Sequence, residues 1–304
     1  MDAERTQPHR RCPVCRATEP FAADSPVWPP NWRCPECGHT VSASDGIPMF
    51  APALADTLSG MDPKFFDDLA SVEATYFWFV VRNALIVGLI NKYFPEARRF
   101  LEVGCGNGAV LQAVAKSRNW ERLVGTELHP SGLIHARKRL PSAEFAQMDA
   151  RDIPAVNAFD LTGAFDVIEH IADDTGVLSQ MREATRSGGG IIISVPQHPW
   201  LWSRADVAAS HERRYRRGEL EAKVQCRGFE VIFSSSYTAL LLPVMAANRW
   251  RIRYDEAKDE LSEFRLNRYI NRLFTAILSV EIRATLAGLS WPAGGSRIVV
   301  ARAV

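Results

Sequence analysis

Short apolar runs recur through the central part of the chain and alternate with amphipathic segments. In those segments, such as residues 109–116, apolar positions recur every three or four residues, which predicts helices. Alternating strands and helices of these lengths predict an α/β fold with a doubly wound, mostly parallel sheet and helices on both faces. The apolar runs, each typical of a buried strand, are 99–103, 123–126, 144–147, 161–167 and 190–195.

Helical patterns also flank this central part. Residues 63–93 carry aromatic and aliphatic side chains three and four positions apart, which indicates either core helices or helices that cover a ligand pocket. A strand predicted at 230–233 is followed by apolar and amphipathic helical stretches over about 237–292. Residues 297–302 predict a final strand, so the stretch before them would form a helical cap beside the sheet.

Composition narrows the class of protein. Of the 304 residues, 47% are hydrophobic and 23% are charged, which is typical of a soluble globular protein. Lys and Arg total 36 against 35 Asp and Glu, and this net charge of +1 disfavours a protein that depends on bulk nucleic-acid electrostatics. The polar start of the chain lacks a secretion signal, and the uncharged stretch 231–248 contains Pro243 and three serines, unlike a membrane span. We therefore expect a cytoplasmic location.

Four of the six cysteines form two C-x-x-C pairs, and 18 residues separate the pairs. Two thiolates three positions apart on a turn can hold one edge of a tetrahedral zinc site, and a second pair closes it. The pattern predicts a structural Zn²⁺ site with no open position for water, while two disulfides or a redox pair are the alternatives. The predicted ligands are Cys12, Cys15, Cys34 and Cys37.

A glycine-rich loop follows the first central strand. It spans Glu102 to Gly108, with glycines at 104, 106 and 108, and it opens a helix. A strand, a glycine loop and a helix N-terminus form a cradle where backbone approaches a ligand closely. Glu127 ends the second strand about 20 residues further on, where a carboxylate can accept hydrogen bonds from both ribose hydroxyls. Asp149 follows the third strand, as a cofactor contact or as a helix N-cap.

This pattern departs from the G-x-G-x-x-G loop of dinucleotide dehydrogenases and resembles the class I S-adenosylmethionine-dependent methyltransferases over about residues 97–235. The stretch Phe165-Asp-Val-Ile-Glu-His170 is similar to the small-molecule branch of that family. The resemblance implies S-adenosylmethionine as the cofactor. The implied cofactor-binding residues are Glu102, Gly104, Cys105, Gly106, Asn107, Gly108, Glu127, Leu128, Asp149, Ala150 and Asp166.

The resemblance also implies a role for each position. Glu102 and the glycine loop would line the methionine portion, and Glu127 would bind the ribose. Leu128 would pack on the adenine, whose amino group Asp149 would face beside the Ala150 backbone. Asp166 would border the methionine amine and the reaction site.

The cysteine-containing stretch resembles the short zinc ribbons found beside, or fused to, some methyltransferases. We therefore divide the chain into a zinc ribbon at residues 1–50, a linker and helical entry segment at 51–96, and a methyltransferase domain at 97–304. The ribbon carries five arginines against six acidic residues within positions 1–48, so its charge does not favour nucleic-acid binding.

The segment after the fifth strand should face the acceptor, because ligands of open α/β sheets bind beyond the carboxyl ends of the strands. It holds two candidate general bases, His198 and His211, since an imidazole takes up a proton near neutrality. We favour His211, which heads an arginine-rich block resembling many bacterial methyltransferases of uncertain acceptor. The alternatives are that His211 caps or salt-bridges the helix, or that Glu169, Tyr215 or a water is the base.

The arginines of that block would hold a phosphate or carboxylate, or else form a solvated, salt-bridged helix face. His170 is a cofactor-side residue or a satisfied buried histidine. No Asp-Asp-Asn cluster stands out, so no catalytic magnesium is predicted. Residues 246–304 carry ten basic and six acidic residues beside apolar helices, which leaves packing on the sheet, a homodimer contact and a peripheral membrane contact open.

Together these features predict an enzyme that transfers a methyl group from S-adenosylmethionine to a small-molecule acceptor, planar or anionic, through a hydroxyl oxygen. One alternative is a ribosomal-RNA guanine methyltransferase that uses the ribbon to bind RNA, and the low net charge weighs against it. The other is a cofactor-binding scaffold or activator subunit without catalysis, and the intact glycine loop weighs against that.

Overall fold

The structure is a computed structural model that describes residues 7–55, 63–252 and 266–304. The N-terminal part folds into two small antiparallel pairs of strands, because turns with positive φ at Arg16 and Gly46 reverse the chain. Its elements are β1 (His9–Arg11), β2 (Thr18–Pro20), β3 (Ala43–Ser44), β4 (Ile47–Pro48) and the short helix α1 (Pro52–Ala55).

The rest of the described chain alternates helices with strands, as the apolar pattern predicts. The helices are α2 (Pro63–Val72), α3 (Phe77–Tyr93), α4 (Ala109–Ala115), α5 (Pro130–Arg139), α6 (Asp174–Ala184), α7 (Arg204–Ala208), α8 (Glu219–Gln225), α9 (Leu242–Ile252) and α10 (Arg268–Leu286). The strands are β5 (Arg99–Val103), β6 (Arg122–Glu127), β7 (Glu144–Gln147), β8 (Ala155–Val156), β9 (Phe159–Phe165), β10 (Thr185–Pro196), β11 (Phe229–Tyr237) and β12 (Ser296–Ala303).

Seven strands form one sheet in the order β11-β12-β10-β9-β5-β6-β7. The strands from β10 to β7 are parallel, and β12 lies antiparallel between β10 and β11. Apolar side chains cover both faces of the sheet, which is why its strands are continuous hydrophobic runs such as Ile191 to Ile193. The predicted fold class, a doubly wound and mostly parallel α/β sheet, is therefore confirmed.

The fourth central strand differs from its predicted bounds of 161–167. It starts at Phe159 and ends at Phe165, and Asp166 adopts a φ of 58°. A side chain in this left-handed region ends the ladder and turns the chain out of the sheet. The prediction that the strand runs through Asp166 was wrong, and this residue instead starts the loop at the carboxyl edge.

The cysteine-rich N-terminal part packs against the main sheet and shares its core. β1 pairs with β8, and the Trp28 indole nitrogen donates to the Pro154 carbonyl oxygen at 2.8 Å. Trp28 is 5% exposed and belongs to the same apolar cluster as Phe159. Beyond β4, the Phe50 amide donates to the Gln147 carbonyl of β7 at 2.8 Å, so the N-terminal part covers this edge of the sheet.

The C-terminal helices pack on the other side of the molecule. α10 lies along α3, where a Cβ on Gly88 would stand 2.5 Å from a methyl carbon of Leu286. Glycine at this position therefore lets the two helices approach closely. Across the described ranges, no helix combines the length and the apolar character that a membrane-spanning segment needs.

Candidate active site

A cavity of about 950 Å³ lies at the carboxyl ends of the parallel strands. Its floor consists of the segments that follow β5, β6, β7 and β9, and its walls come from α2, α3, α9 and α10. This is the place where open parallel sheets bind ligands, because neighbouring loops diverge there and backbone N–H groups of helix starts point inward.

The glycine loop after β5 forms one end of the cavity. Gly104, Gly106 and Gly108 all have positive φ, which glycine adopts without steric cost. A Cβ on Gly104 would stand 2.6 Å from Val167, whereas a Cβ on Gly106 would meet no atom within 4 Å and would extend into open space. Gly106 is thus the point of close approach for a ligand. Gly108 lies behind the loop against Ala136 and is not among the residues that line the cavity.

Two carboxylates accompany this loop. Glu127, at the end of β6, accepts hydrogen bonds from the Gly106 amide at 2.9 Å and from the Leu128 amide at 2.8 Å. Glu102 is 2% exposed, and its Oε2 atom has no hydrogen-bond partner within the described structure. Burial raises the pKa of Glu102 to about 8, although the positive charge of Arg82 opposes this shift.

The remaining predicted cofactor residues lie along the same wall. Leu128, Asp149 and Ala150 follow β6 and β7 and line the cavity, as do Cys105 and Asn107. The Asp149 carboxylate accepts hydrogen bonds from the Arg151 backbone amide at 2.8 Å and from its guanidinium at 2.6 Å. The carboxylate therefore closes a local turn and still faces the cavity.

Asp166 lines the cavity and has a partner that sequence reasoning missed. Arg82 of α3 donates to its Oδ2 atom at 2.8 Å. The guanidinium also lies 4.6 Å from the centroid of the Trp78 ring, so an aromatic side chain holds it in place. Burial raises the pKa of Asp166, and Arg82 opposes that shift. The helical periodicity placed Arg82 on a helix but gave no signal of this pairing.

The other end of the cavity brings together Glu169, His170 and His211. The first two residues form a 3₁₀ turn after β9, and a backbone hydrogen bond of 2.8 Å from Glu212 to Glu169 ties this turn to the segment that carries His211. The two imidazole rings meet edge to face with centroids 4.7 Å apart. Burial lowers the pKa of His170 to about 4, so its imidazole is neutral at physiological pH.

A buried carboxylate orients His211. Its Nδ1 atom lies 3.0 Å from Oδ1 of Asp206, which is 1% exposed. Arg214 and Arg249 both donate to the Asp206 carboxylate, at 2.6 Å and 2.8 Å, and so hold it in position. This arrangement leaves Nε2 of His211 as the ring atom that is available to other groups.

The other predicted base, His198, lies elsewhere. It heads the 3₁₀ turn Pro199–Leu201 with a φ of 64°, and its ring lies 5.4 Å from that of Trp200, which is 54% exposed. Neither His198 nor Trp200 lines the cavity. His198 stays a predicted base, and in this structure it lies beside Trp200 and outside the set of residues that line the cavity.

Salt bridges occupy two of the predicted anion-binding arginines. Arg213 pairs with Asp174 at 3.0 Å, and Arg214 pairs with Asp206. Tyr215 is fully buried and donates its hydroxyl proton to Asp174 at 2.7 Å, away from the cavity. Of the groups in this block, His211 and Arg214 line the cavity.

The four cysteines of the N-terminal C-x-x-C pairs converge as predicted. The sulfurs of Cys12 and Cys37 lie 3.7 Å apart, and those of Cys15 and Cys34 lie 3.6 Å apart. Two thiolates on a tetrahedral zinc ion with bonds of about 2.3 Å would be about 3.8 Å apart, whereas bonded sulfurs are about 2.05 Å apart. All four cysteines are free thiols with the spacing of a metal site, not of disulfides.

Comparison with known proteins agrees with this geometry. Residues 101–191 match a family described as a methyltransferase domain. A trans-aconitate 2-methyltransferase from Acidovorax is 29% identical over 34% of this chain and 40% of its own length. A dTDP-3-amino-3,4,6-trideoxy-α-D-glucopyranose N,N-dimethyltransferase from Streptomyces venezuelae is 29% identical over 43% of this chain and 58% of its own length.

Among solved structures, a phosphoethanolamine N-methyltransferase from Haemonchus contortus in complex with S-adenosyl-L-methionine has a TM-score of 0.52 at 18% identity. That match covers 81% of this chain and 60% of the other, and it shows the shared fold. The chain spans 40–60% of the lengths of the first curated relatives that it matches.

The fold and the cradle thus define a class I methyltransferase architecture. Specifically, residues 101–191 match a methyltransferase domain, and a probable S-adenosylmethionine-dependent methyltransferase from Mycolicibacterium smegmatis is 28% identical over 51% of this chain and 60% of its own length.

Proposed function

We propose that this protein transfers a methyl group from S-adenosylmethionine to a hydroxyl oxygen of a small molecule. The observation that carries the proposal is a single cavity with an open cofactor cradle at Gly106 and a polar cluster around His211 at its other end. Methyl transfer is an in-line displacement, so catalysis consists mainly of holding the two reactants in position within a cavity that excludes water.

In this proposal the cofactor lies along the carboxyl ends of β5 to β9. The open face of Gly106 accommodates the methionine portion, and Glu127 binds the ribose hydroxyls. Leu128 and Ala150 contact the adenine beside Asp149, while Asp166 faces the methionine amine. The sulfonium that S-adenosylmethionine supplies carries a positive charge that disappears as the methyl group leaves, so an apolar wall favours the reaction.

His211 is the proposed proton acceptor. Asp206 holds its Nδ1 atom, and this leaves Nε2 free to take the acceptor's hydroxyl proton. The oxygen lone pair then forms the new bond to the methyl carbon as the carbon–sulfur bond breaks. The electron pair of that bond returns to sulfur, and the cofactor leaves as a neutral thioether.

The cavity walls favour a planar or partly apolar acceptor. Three aromatic side chains line the acceptor end and provide flat contact surfaces. They are Tyr76, which precedes α3, Trp78 in α3 and Phe274 in α10. Two arginines share the single Asp206 carboxylate, which leaves a positive charge suited to an anionic substituent. The ribbon arginines Arg11 and Arg16 pair with acidic residues of the domain, which weighs against RNA binding by the ribbon.

We also propose that the four cysteines bind a structural zinc ion. None of the described residues that line the cavity belongs to the ribbon, so the metal would act on folding and not on chemistry. Metal analysis of fresh protein should find one zinc per chain, and Cys34→Ser should lose it and loosen residues 7–50. Zinc-free wild-type protein with an unchanged melting temperature would contradict this role.

The test of the function is direct. Purified protein and S-adenosylmethionine should be incubated with hydroxylated aromatic acids, sugars and carboxylic acids, and S-adenosylhomocysteine should be measured. Formation of the thioether with a small acceptor supports the proposal. Methylation of ribosomal RNA alone would favour the RNA enzyme, and failure to bind the cofactor in calorimetry would favour a scaffold.

A further inference from the structure

The acceptor end of the cavity contains a buried carboxylate whose charge is not balanced by a direct partner. Glu169 has no exposed surface, and neither of its carboxylate oxygens accepts a hydrogen bond from another residue within the described ranges. A buried carboxylate without hydrogen bonds is costly, so such a group normally has a partner. The two guanidiniums whose positive charges act on Glu169 are each paired elsewhere, Arg82 with Asp166 and Arg214 with Asp206.

Two imidazoles complete a set of metal-binding groups around this carboxylate. Glu169, His170 and His211 each offer one ligand atom, and these atoms all lie within 4.8 Å of one another. Three ligands bound at about 2.1 Å around one ion lie about 3.4–3.6 Å from one another, so side-chain movements of up to about 1 Å would bring these atoms to bonding distance. All three residues line the cavity.

The surroundings of His211 match those of a metal-bound histidine. Such a residue usually gives its second ring nitrogen to a carboxylate, which fixes the tautomer and the orientation of the ring. Asp206 does this at 3.0 Å from Nδ1 and is itself held by Arg214. The His211–Asp206 contact and the unpartnered carboxylate oxygens of Glu169 are independent observations, and both indicate a bound metal ion.

We propose that Glu169, His170 and His211 bind a divalent transition-metal ion at the acceptor end of the cavity. Two imidazoles and one carboxylate suit zinc, cobalt, iron or manganese, whereas magnesium and calcium prefer sets of oxygen ligands. The site is separate from the ribbon, whose donors are four sulfurs.

The catalytic consequence rests on the proposed function. A hydroxyl bound to the cation loses its proton to solvent at a lower pH than a free hydroxyl. Its oxygen then forms the bond to the methyl carbon while the carbon–sulfur bond breaks and the electron pair stays on sulfur. The cation would thus replace the imidazole in activating the acceptor, and Nε2 of His211 would act as a ligand.

The test is titration of zinc-replete, full-length protein with Co²⁺, followed by calorimetry and visible absorption. We expect one Co²⁺ per chain with ligand-field bands and no sulfur-to-cobalt charge-transfer band. Glu169→Gln and His211→Ala should each weaken binding at least about tenfold, because loss of a ligand costs at least as much as loss of its outer-shell support. His198→Ala is the matched control, a histidine near the same segment but outside the cavity, and should bind Co²⁺ as the wild type does.

Retained S-adenosylmethionine binding would show that each variant is folded. No Co²⁺ binding by the wild type would overturn the proposal, as would binding that Glu169→Gln leaves unchanged or that carries a thiolate band. Methyl transfer is not measured in this titration. Failure of the proposed reaction would therefore leave the metal result standing, and absence of the metal would leave His211 as the proton acceptor.

Discussion

The two ends of the cavity are built in different ways. At the cofactor end, one continuous stretch from Glu102 to Gly108 supplies the cradle, and its shape depends on backbone conformation at three glycines. At the acceptor end, side chains from α3, the turn after β9 and the segment around His211 meet through a buried Arg82–Asp166 ion pair and a His211–Asp206 hydrogen bond. The first end is specified locally and the second by tertiary packing, so substitutions at the two ends should have separable effects.

The largest expected effect is on cofactor binding. Gly106→Val should abolish measurable S-adenosylmethionine binding, because the side chain would fill the open face of the loop and would be strained at a φ of 50°. Calorimetry would measure this. Gly188→Val is the matched control, since Gly188 also has a positive φ and open space beside it but lies outside the cavity. Equal losses in both variants would mean that strain, and not the occupied space, is responsible.

The next prediction concerns the charge buried at the cofactor end. Burial raises the pKa of Glu102 to about 8 from an ordinary value near 4.5, so the folded state holds a proton that the unfolded state releases. Stability of the cofactor-free protein should therefore fall as pH rises from about 5 to 9, by on the order of 4 kcal/mol. In denaturant titrations Glu102→Gln should show a decline smaller by about this amount, while buried carboxyls such as Glu169 keep their own contributions.

The exposed Glu121 provides the control for that measurement. Glu121→Gln should keep the wild-type pH dependence of the free energy of unfolding, because its carboxylate lies in solvent before β6. Parallel curves for wild type and Glu102→Gln between pH 5 and 9 would disprove the raised pKa.

A third variant addresses the acceptor end alone. His211→Ala should lower kcat roughly a hundredfold, the low end of effects attributed to acid–base groups, with S-adenosylmethionine affinity unchanged. His198→Ala should retain the wild-type rate. A parallel loss of cofactor affinity in His211→Ala would show that the two ends are not separable.

The smallest effect is expected at the ribose contact. Glu127→Ala removes a charged acceptor, and hydrogen bonds to charged groups contribute about 1.5–3 kcal/mol. The dissociation constant of S-adenosylmethionine should rise about tenfold or more, at about 1.4 kcal/mol per decade. Glu121→Ala removes an exposed carboxylate just before the start of β6 and should bind S-adenosylmethionine with the wild-type dissociation constant. An unchanged constant in folded Glu127→Ala would remove this residue from the cofactor site.

The same contrast explains how much the sequence could predict. The strand 99–103 and the helix that begins at Ala109 occur where the pattern placed them, because apolar runs and glycine positions are local signals. Arg82 and Asp206 were missed, since a polar residue on a helix gives no sign of the carboxylate or imidazole that it meets across the fold. The position of His198 beside the cavity could not be predicted, because the turn at that residue depends on its positive φ, which the sequence does not reveal.

The packing of the ribbon on β7 has a consequence for solubility. An uncovered edge strand presents free N–H and C=O groups to other chains and acts as a template for intermolecular pairing. Here the Phe50 amide donates to the Gln147 backbone carbonyl and the Val27 amide donates to the Glu144 side-chain carboxylate, so residues from the cysteine-rich segment cover that edge. Loss of order around the four thiols would therefore expose a strand edge at which separate molecules can pair and aggregate.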